Sequence, residues 1–274
     1  VGWHYGFGCA GIVMVAGVLL FLAGKDHLPA DEDGTKEISG RKTMSALALG
    51  TIVSLAVIGV VFAIGITVTL LALIPLYFYL THNLPRAEKT RVMALVLLIP
   101  AMAVAMLTNQ QIFNVYLVWG DQQFDLRMLN NTTSWLITVD AAVSFAMLVA
   151  VAAFYKWYGT RHREPDELGK MIIGSAFTIA GGLCLYMAAL TQGDGKIGLF
   201  WPLLFHLFNS IGFAHILPVS LALFSKIAPQ QINATVIGLY YLAFYAANKM
   251  VGQVGQLYST MDTPTFWLLH VGSA

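Results

Sequence analysis

The feature that most constrains this chain is a series of apolar runs, each as long as a helix that crosses a bilayer. A hydrocarbon core about 30 Å thick takes about 20 apolar residues in helical form. Such runs lie near 3–24, 89–109, 133–156, 169–191, 198–225 and 232–258. In agreement, 58% of the 274 residues are hydrophobic and 11% are charged, whereas soluble domains carry about 25% charged residues. The sequence therefore predicts an all-α polytopic membrane protein, with the lipid bilayer as the solvent for most of its surface.

The longest apolar run, from Met44 to Leu80, is too long for one crossing. As a single helix with about 1.5 Å of rise per residue it would far exceed a core of ~30 Å. Gly65 lies near its middle, and glycine supplies the backbone freedom that a tight reversal needs. We therefore predict a transmembrane helical hairpin over 44–81, with crossings at 44–63 and 67–81.

The distribution of basic residues tests this hairpin, because lysine and arginine in short loops are retained on the cytoplasmic side during insertion. With two crossings in the hairpin, one side of the membrane holds Lys25, Lys36, Arg41, Lys42, Arg86, Lys89, Arg91, Lys156, Arg161, Arg163, Lys170 and Lys226. The other side holds Arg127 and Lys196. A single crossing would place the basic group after residue 81 opposite the one before residue 44, and the asymmetry would be lost. The hairpin is favoured, and 25–43 is predicted to be a cytoplasmic linker.

The global charge points to no class of macromolecular partner. A formal net charge of +1 gives neither a basic face for nucleic acid nor an acidic tail for a basic partner, so no nucleic-acid binding is expected. Cys9 and Cys184 lie in apolar runs without metal-ligand spacing, as expected for small buried hydrophobic side chains. The last apolar run starts at Phe266 and stops at Ala274, so we expect the chain to be a piece of a longer protein.

Ionisable side chains inside apolar runs are the first candidates for function. An Asp or Lys near the centre of a membrane helix costs roughly 2.5–3.5 kcal/mol on insertion scales. Asp140 lies about two turns into the run 133–156, and His206 lies within 198–225. Asp140 is either a carboxylate neutralised by protonation or by Lys249, or a group on a water-lined path. Asp140 and His206 are the candidates for proton coupling.

A polar stripe along the run 198–225 supplies further candidates. Its members follow three-, four- and seven-residue spacing, which places them on one helix face: His206, Asn209, Ser210 and Phe213. We expect this stripe to face a cavity together with Gln110, Asn109 and Tyr240, because polar side chains gain from water or substrate and lose in lipid. Amides and hydroxyls inside a membrane can also simply hold helices together.

No metal or cofactor site is predicted. The sequence lacks regularly spaced histidine sets, Ser-His-Asp patterns and phosphate-binding loops. A membrane-embedded enzyme or redox subunit would need such groups, and a channel would need rings of charge or a filter-like loop. We therefore expect a secondary transporter that is not an enzyme, with the membrane-embedded enzyme or redox subunit as the alternative.

The order of these segments resembles the proton-dependent oligopeptide transporters of the major facilitator superfamily. The opening stretch from Gly2 to Gly8, Gly-Trp-His-Tyr-Gly-Phe-Gly, is similar to the start of that family's sixth helix. The hairpin 44–81 resembles the two helices that bacterial members insert between the sixth and seventh. The segment 89–119, with Asn109-Gln110-Gln111, is similar to the seventh helix. Gly212 with Pro218-Val219 resembles the tenth helix, and Ala228-Pro229 with Gly238 and Asn248 the eleventh.

This resemblance implies a domain organisation. The chain would hold the sixth helix at 1–24, the linker at 25–43, the inserted hairpin at 44–81 and the C-terminal six-helix bundle at 89–274, with the twelfth helix incomplete. The N-terminal bundle, which in this family carries the glutamate-rich proton-coupling motif and basic pocket residues, would lie outside it.

The chain also departs from the family pattern. Members usually place a glutamate one residue after the tenth-helix glycine, where this chain has Phe213, and an Asn-Pro pair in the eighth helix, where it has Asp140-Ala141. Ala105 and Asn109 stand where aromatic and acidic residues are expected. The negative charge has thus moved from the position of Phe213 to Asp140, which keeps an anionic site for an ammonium group.

The resemblance implies a proton-coupled symporter of the cell (inner) membrane. Its substrates would be di- or tripeptides or related amine-bearing solutes, and its other partners protons and lipid. A transporter of the same fold with a non-peptide substrate is the remaining alternative. The substrate-binding residues expected are Asp140, Gln110, Asn109, His206, Asn209, Ser210, Phe213 and Tyr240.

Overall fold

The computed structural model describes residues 15, 19, 77–78, 81–129 and 132–274. The chain divides into two compact units, Val1–Ala56 and Val57–Ala274, and the elements below all belong to the second. The predicted helix 3–24, the linker 25–43 and nearly all of the hairpin 44–81 lie outside the described residues. Those domain boundaries therefore stay predictions.

From residue 81 onwards, the described part of the second unit is built from α-helices. In chain order they are α1 Arg86–Ala105, α2 Leu107–Gln110, α3 Val115–Gln123, α4 Ser134–Tyr158, α5 Glu167–Leu190, α6 Phe200–Ile227, α7 Asn233–Gly255 and α8 Thr263–Ser273. Short 3₁₀ turns lie at Gln111–Phe113, Arg127–Leu129, Gln230–Ile232 and Gln256–Ser259. Within the described ranges no β-strand forms, so the predicted all-α class is confirmed.

Among the described residues, three helices are long and apolar enough to cross a membrane by themselves: α4, α5 and α6, with mean hydropathies of 2.2, 1.8 and 1.7. They coincide with the runs predicted near 133–156, 169–191 and 198–225. Helix α1 and the segment Leu107–Phe113 reach that length and apolarity only together, as a pair bent by 47° that is either one broken span or a re-entrant loop. Helix α7 coincides with the predicted run 232–258, but it is not among the helices apolar enough to qualify alone.

Helix starts follow local sequence signals. The carboxylate of Asp166 accepts a hydrogen bond from the backbone N–H of Gly169 at 2.8 Å and begins α5. Asp262 does the same for α8, accepting from Thr265 N–H at 2.9 Å. Both side chains satisfy backbone donors that the first helical turn leaves unpaired.

The span formed by α1, α2 and α3 is interrupted at Asn114. This residue adopts φ −133° and ψ −109°, outside the helical region, between the 3₁₀ turn and α3. Its amide Nδ2 donates to the backbone carbonyl of Val251 on α7 at 3.1 Å. A Cβ added at Gly255 would lie 2.6 Å from the same amide, so the absence of a side chain at Gly255 allows α7 to approach the break.

The buried core falls into two clusters. The first joins α1, the Ile227 half of α6 and α7, and includes Ile99, Phe224 and Tyr240. The second joins α3, α5, α8 and the Phe200 half of α6, and includes Trp119, Phe205 and Trp267. Helix α6 therefore contributes to both clusters, and it also packs along α4 and α5.

Glycines allow α5 and α6 to cross closely. A Cβ at Gly174 would lie 2.9 Å from the carbonyl oxygen of Gly212, and a Cβ at Gly212 would lie 2.8 Å from that of Gly174. Thr178 crowds the same point from α5. The two backbones thus meet without intervening side chains, which fixes the height of α6, and of the polar stripe on it, relative to α5.

Candidate functional site: a buried carboxylate and imidazole

Asp140 and His206 form a hydrogen-bonded pair of ionisable side chains between α4 and α6. His206 Nδ1 lies 2.9 Å from Asp140 Oδ1. The histidine is fully buried, and the aspartate is 9% exposed. Asp140 and Leu136 are the residues of α4 that the bundle buries, so the carboxylate lies on the narrow face by which α4 packs on α6.

The second imidazole nitrogen is bonded to a third helix. Tyr116 Oη on α3 lies 2.8 Å from His206 Nε2, and this tyrosine is also fully buried. Its ring packs against Phe205 and Phe124, with centroids 5.2 Å and 5.6 Å away. The imidazole therefore links α3, α4 and α6 through side-chain hydrogen bonds.

The partners fix where the hydrogens lie. An ionised carboxylate can only accept, so a neutral His206 carries its hydrogen on Nδ1 and donates it to Asp140. Nε2 is then an acceptor, and the Tyr116 hydroxyl donates to it. In this state every polar atom of His206 is satisfied, while the pair carries one negative charge.

One turn further along, a second polar contact joins the same two helices. Ser144 Oγ on α4 lies 3.0 Å from Ser210 Oγ on α6. Both contacts join residues that are 66 positions apart in the sequence. Helices α4 and α6 therefore run parallel and in register, with Asp140–His206 and Ser144–Ser210 as successive rungs.

The rest of the predicted stripe points into the bundle. Asn209 is 1% exposed, and neither its Nδ2 nor its Oδ1 has a hydrogen-bond partner among the described residues. Ser210 is fully buried, and Phe213 is half-buried. The stripe is therefore largely buried within the bundle, and its position beside a cavity stays a prediction.

The remaining candidate residues lie apart from the pair. Gln110 and Asn109 are half-buried at the end of α2, where Gln110 Nε2 donates to Asn109 Oδ1 at 3.3 Å. Tyr240 belongs to the other core cluster, and its hydroxyl lies 3.1 Å from Ser220 Oγ. No contact joins these three residues to His206 in the described part of the chain, so their role in one site stays a prediction.

Sequence reasoning singled out Asp140 and His206 but missed Tyr116. A tyrosine in an apolar run is most often packing, and nothing in its spacing connects residue 116 with residue 206. It also left Lys249 open as a partner of Asp140, whereas the ion pair that the structure gives Asp140 is with His206. No cluster of three His, Cys, Asp or Glu side chains suited to a metal occurs among the described residues.

A charged cavity of about 400 Å³ lies at the loop after α3, away from the pair, and is lined by Asp121, Phe124, Asp125, Leu126, Arg127 and Lys196. Within it, Arg127 Nε donates to Asp125 Oδ1 at 2.8 Å. This hydrogen bond lowers the pKa of Asp125 to about 2 from its ordinary value of 3.8. A parallel bridge between Phe124 and Ile197 ties the same loop to the segment before α6.

The apolar bundle, its broken span and the buried charged pair define an α-helical multi-pass membrane protein. A protein-family model described as the POT family matches residues 1–268. The chain belongs to this family, as the resemblance in the sequence indicated.

Curated relatives agree with this assignment. The chain is 22% identical to the peptide transporter YePEPT of Yersinia enterocolitica subsp. palearctica serotype O:3 (strain YE-P4), over 93% of this chain and 55% of that protein. It is 20% identical to the di-/tripeptide transporter of Lactococcus lactis subsp. cremoris, over 98% of this chain and 59% of that protein. The chain thus spans between half and two thirds of the length of these relatives.

Solved structures share the fold. A crystal structure of the peptide transporter POT in complex with sulfate matches with a TM-score of 0.65 and 18% identity, covering 99% of this chain and 59% of that one. A POT family transporter in complex with 5-aminolevulinic acid matches with a TM-score of 0.66 and 17% identity, covering 98% of this chain and 60% of that one. At these identities the likeness establishes the fold, which is that of the POT transporters.

Proposed function

We propose that the protein is a proton-coupled symporter of small peptides or related amine-bearing solutes, working by alternating access in the cell membrane. The class of transporter and the proton coupling are inferred from the family. The observation that carries a site in this chain is the Asp140–His206 pair, because a buried charged pair inside a membrane bundle is costly and is retained where it serves transport.

The pair suits the amino end of a substrate. Asp140 Oδ1 is bonded to His206, while the other carboxylate oxygen has no hydrogen-bond partner among the described residues, and the side chain is 12% exposed. An ammonium group bound there would form a charge-assisted hydrogen bond and neutralise the pair. Relatives are named as peptide transporters, and one neighbouring structure holds 5-aminolevulinic acid, itself an amine.

Protons act at the same place. Both an ammonium ligand and one added proton bring the net charge of the pair from minus one to zero, so the two compete for this site. Because a symporter carries proton and substrate together, the co-transported proton must be held at another group while the ammonium occupies the pair. Binding of substrates with a free amino terminus is therefore expected to weaken as the pair takes up a proton. Gln110, Asn109, Asn209, Ser210, Phe213 and Tyr240 are proposed as further substrate contacts on the strength of the sequence pattern.

The test compares trialanine with N-acetyl-trialanine in the reconstituted transporter. Asp140→Asn should weaken binding of trialanine by roughly 10- to 100-fold, since a charge-assisted contact contributes about 1.5–3 kcal/mol. N-acetyl-trialanine lacks the ammonium group and should lose less than about threefold. The matched control is Asp194→Asn, which removes an exposed carboxylate in the loop after α5.

An equal loss for both peptides would make Asp140 a structural residue and remove the proposed site. Uptake that ignores an imposed proton gradient in the unmodified transporter would contradict proton coupling itself. The two results are independent, because the first concerns binding and the second concerns transport.

A further inference from the structure

Tyr116 is the one partner of the pair that the sequence did not indicate. It lies on α3, which follows the break at Asn114, and so belongs to the interrupted span rather than to α4 or α6. Its hydroxyl lies 2.8 Å from His206 Nε2, and both side chains are fully buried. This contact is therefore shielded from water and depends on the protonation state of the imidazole.

The direction of this hydrogen bond is set by the proton count. With His206 neutral, Nδ1–H donates to Asp140 and the Tyr116 hydroxyl donates to Nε2. When the imidazole holds a second proton on Nε2, both nitrogens are donors and Nε2–H donates to the oxygen of Tyr116. The hydroxyl hydrogen of Tyr116 must then turn to another acceptor. Tyr116 stays neutral throughout, and the pair changes from a net charge of minus one to zero.

We propose that Tyr116 is a positioning residue that reports the protonation state of His206 to α3. When this buried hydrogen bond reverses, the hydroxyl of Tyr116 on α3 needs a new hydrogen-bond acceptor. The Asp140–His206 contact between α4 and α6 is kept. The proposal rests on the proposed function, because it assigns the proton-responsive pair a connection to the broken span.

The titratable groups described on the neighbouring helices do not hydrogen-bond to His206, apart from Asp140 and Tyr116, so the protonation of the Asp140–His206 pair sets the direction of the Tyr116 hydrogen bond. Asp140 faces it from α4 and Tyr116 from α3. On α5 the titratable side chains of the same core cluster are Cys184 and the partly buried Tyr186. On α8, His270 Nδ1 is engaged with the carbonyl of Phe266 at 2.8 Å, and on α7, Tyr240 is engaged with Ser220. Among the described residues, the hydrogen bonds of His206 are those to Asp140 and Tyr116.

The test is Tyr116→Phe in the reconstituted transporter, with trialanine binding measured across pH. Phenylalanine keeps the ring packing but offers no acceptor to Nε2–H. The protonated pair loses a charge-assisted bond and the unprotonated pair loses a neutral one, which is the weaker of the two. The midpoint at which acid weakens trialanine binding should fall by about one pH unit. Tyr258→Phe, the same chemical change at a partly buried tyrosine outside the site, should leave the midpoint in place.

A second measurement does not depend on transport. Nitrogen NMR of protein labelled with ¹⁵N-histidine should show hydrogen on Nδ1 of His206 at high pH, and Tyr116→Phe should shift the Nε2 resonance. An unchanged midpoint, or a hydrogen on Nε2 at high pH, would overturn the proposal. A transporter that binds no trialanine but shows the expected resonances would contradict the proposed substrate and leave the role of Tyr116 standing.

Discussion

At the scale of single residues, the two members of the buried pair are not equivalent. His206 can be neutral without a partner charge, whereas Asp140 in its ionised form cannot lose the imidazole without leaving a charge in an apolar bundle. Removing the imidazole should therefore lower the stability of the protein more than neutralising the carboxylate does.

We predict that His206→Leu destabilises the protein more than Asp140→Asn does. His206→Leu removes the donor of a hydrogen bond to the ionised Asp140 carboxylate and leaves the buried Tyr116 hydroxyl without its acceptor. A hydrogen bond to a charged group contributes about 1.5–3 kcal/mol. Asp140→Asn leaves a neutral amide beside a neutral imidazole and should cost about 1 kcal/mol. Thermal unfolding in detergent measures both. The double variant Asp140→Leu with His206→Leu should recover most of the loss, and failure to recover would mean that the pair is not the source of the cost.

A second prediction at this scale concerns Asn209, whose buried amide has no hydrogen-bond partner among the described residues. Asn209→Leu should raise stability, because an unpaired buried polar group costs about 1–3 kcal/mol, and it should lower transport if the amide serves substrate or water. Stability and uptake measured on the same preparations separate the two effects. A loss of stability would show that the amide is hydrogen-bonded in the membrane.

At the scale of elements, the crossing of α5 and α6 depends on the missing side chains at Gly174 and Gly212. We predict that Gly212→Ala destabilises the bundle by about 1–3 kcal/mol, the usual cost of overpacking, because a Cβ there would lie 2.8 Å from a backbone oxygen. Gly238→Ala on α7 is the matched control: a Cβ there meets no atom within 4 Å. Gly238→Ala should raise the free energy of unfolding by at most about 1 kcal/mol, because alanine has the higher helix propensity. Equal effects of the two substitutions would contradict the close crossing.

The loop after α3 gives a prediction about pH. Arg127 lowers the pKa of Asp125 to about 2. The ion pair between Arg127 and Asp125 should therefore be fully formed above pH 3.8, the ordinary pKa of the carboxyl, and lost as the pH falls towards 2. Carboxyl NMR of Asp125 measures this directly. Arg127→Gln should raise the pKa of Asp125 towards its ordinary value, while the backbone N–H of residue 127 and the charge of Lys196 keep part of the lowering. An unchanged titration would show that the Arg127 side chain is not a cause.

These elements also show how far the sequence could be interpreted. Hydrophobic length predicts α4, α5 and α6 closely, since a membrane span needs a fixed number of apolar residues. It does not predict the 47° bend after α1, nor the break at Asn114, whose amide is bonded to Val251 on α7, a residue distant in sequence. In the same way, spacing along α6 identified His206, Asn209 and Ser210, but it could not identify Tyr116, which reaches the imidazole from another helix.

At the scale of the whole molecule, the orientation in the membrane is the main expectation still to be measured. We predict that a single cysteine at position 65 reacts with an impermeant maleimide added from outside, because basic residues flank both ends of 44–81 and hold those ends in the cytoplasm. A cysteine at position 161 should react only after the membrane is opened. Labelling of position 65 from the cytoplasmic side alone would reverse the topology.

The two hydrogen bonds between α4 and α6 join residues at the same separation in sequence, and this limits how the two helices can slide past each other. Because both rungs join residues 66 positions apart, the two helices can exchange partners only in steps of about one turn, or roughly 5.4 Å. Sliding α4 one step towards the Ile227 end of α6 would set Asp140 opposite Ser210, a hydroxyl that can donate to it, and Ser144 opposite Ala214, which offers no side-chain hydrogen bond. A one-turn shift would therefore exchange two side-chain hydrogen bonds between α4 and α6 for one, so the Asp140–His206 and Ser144–Ser210 contacts oppose it.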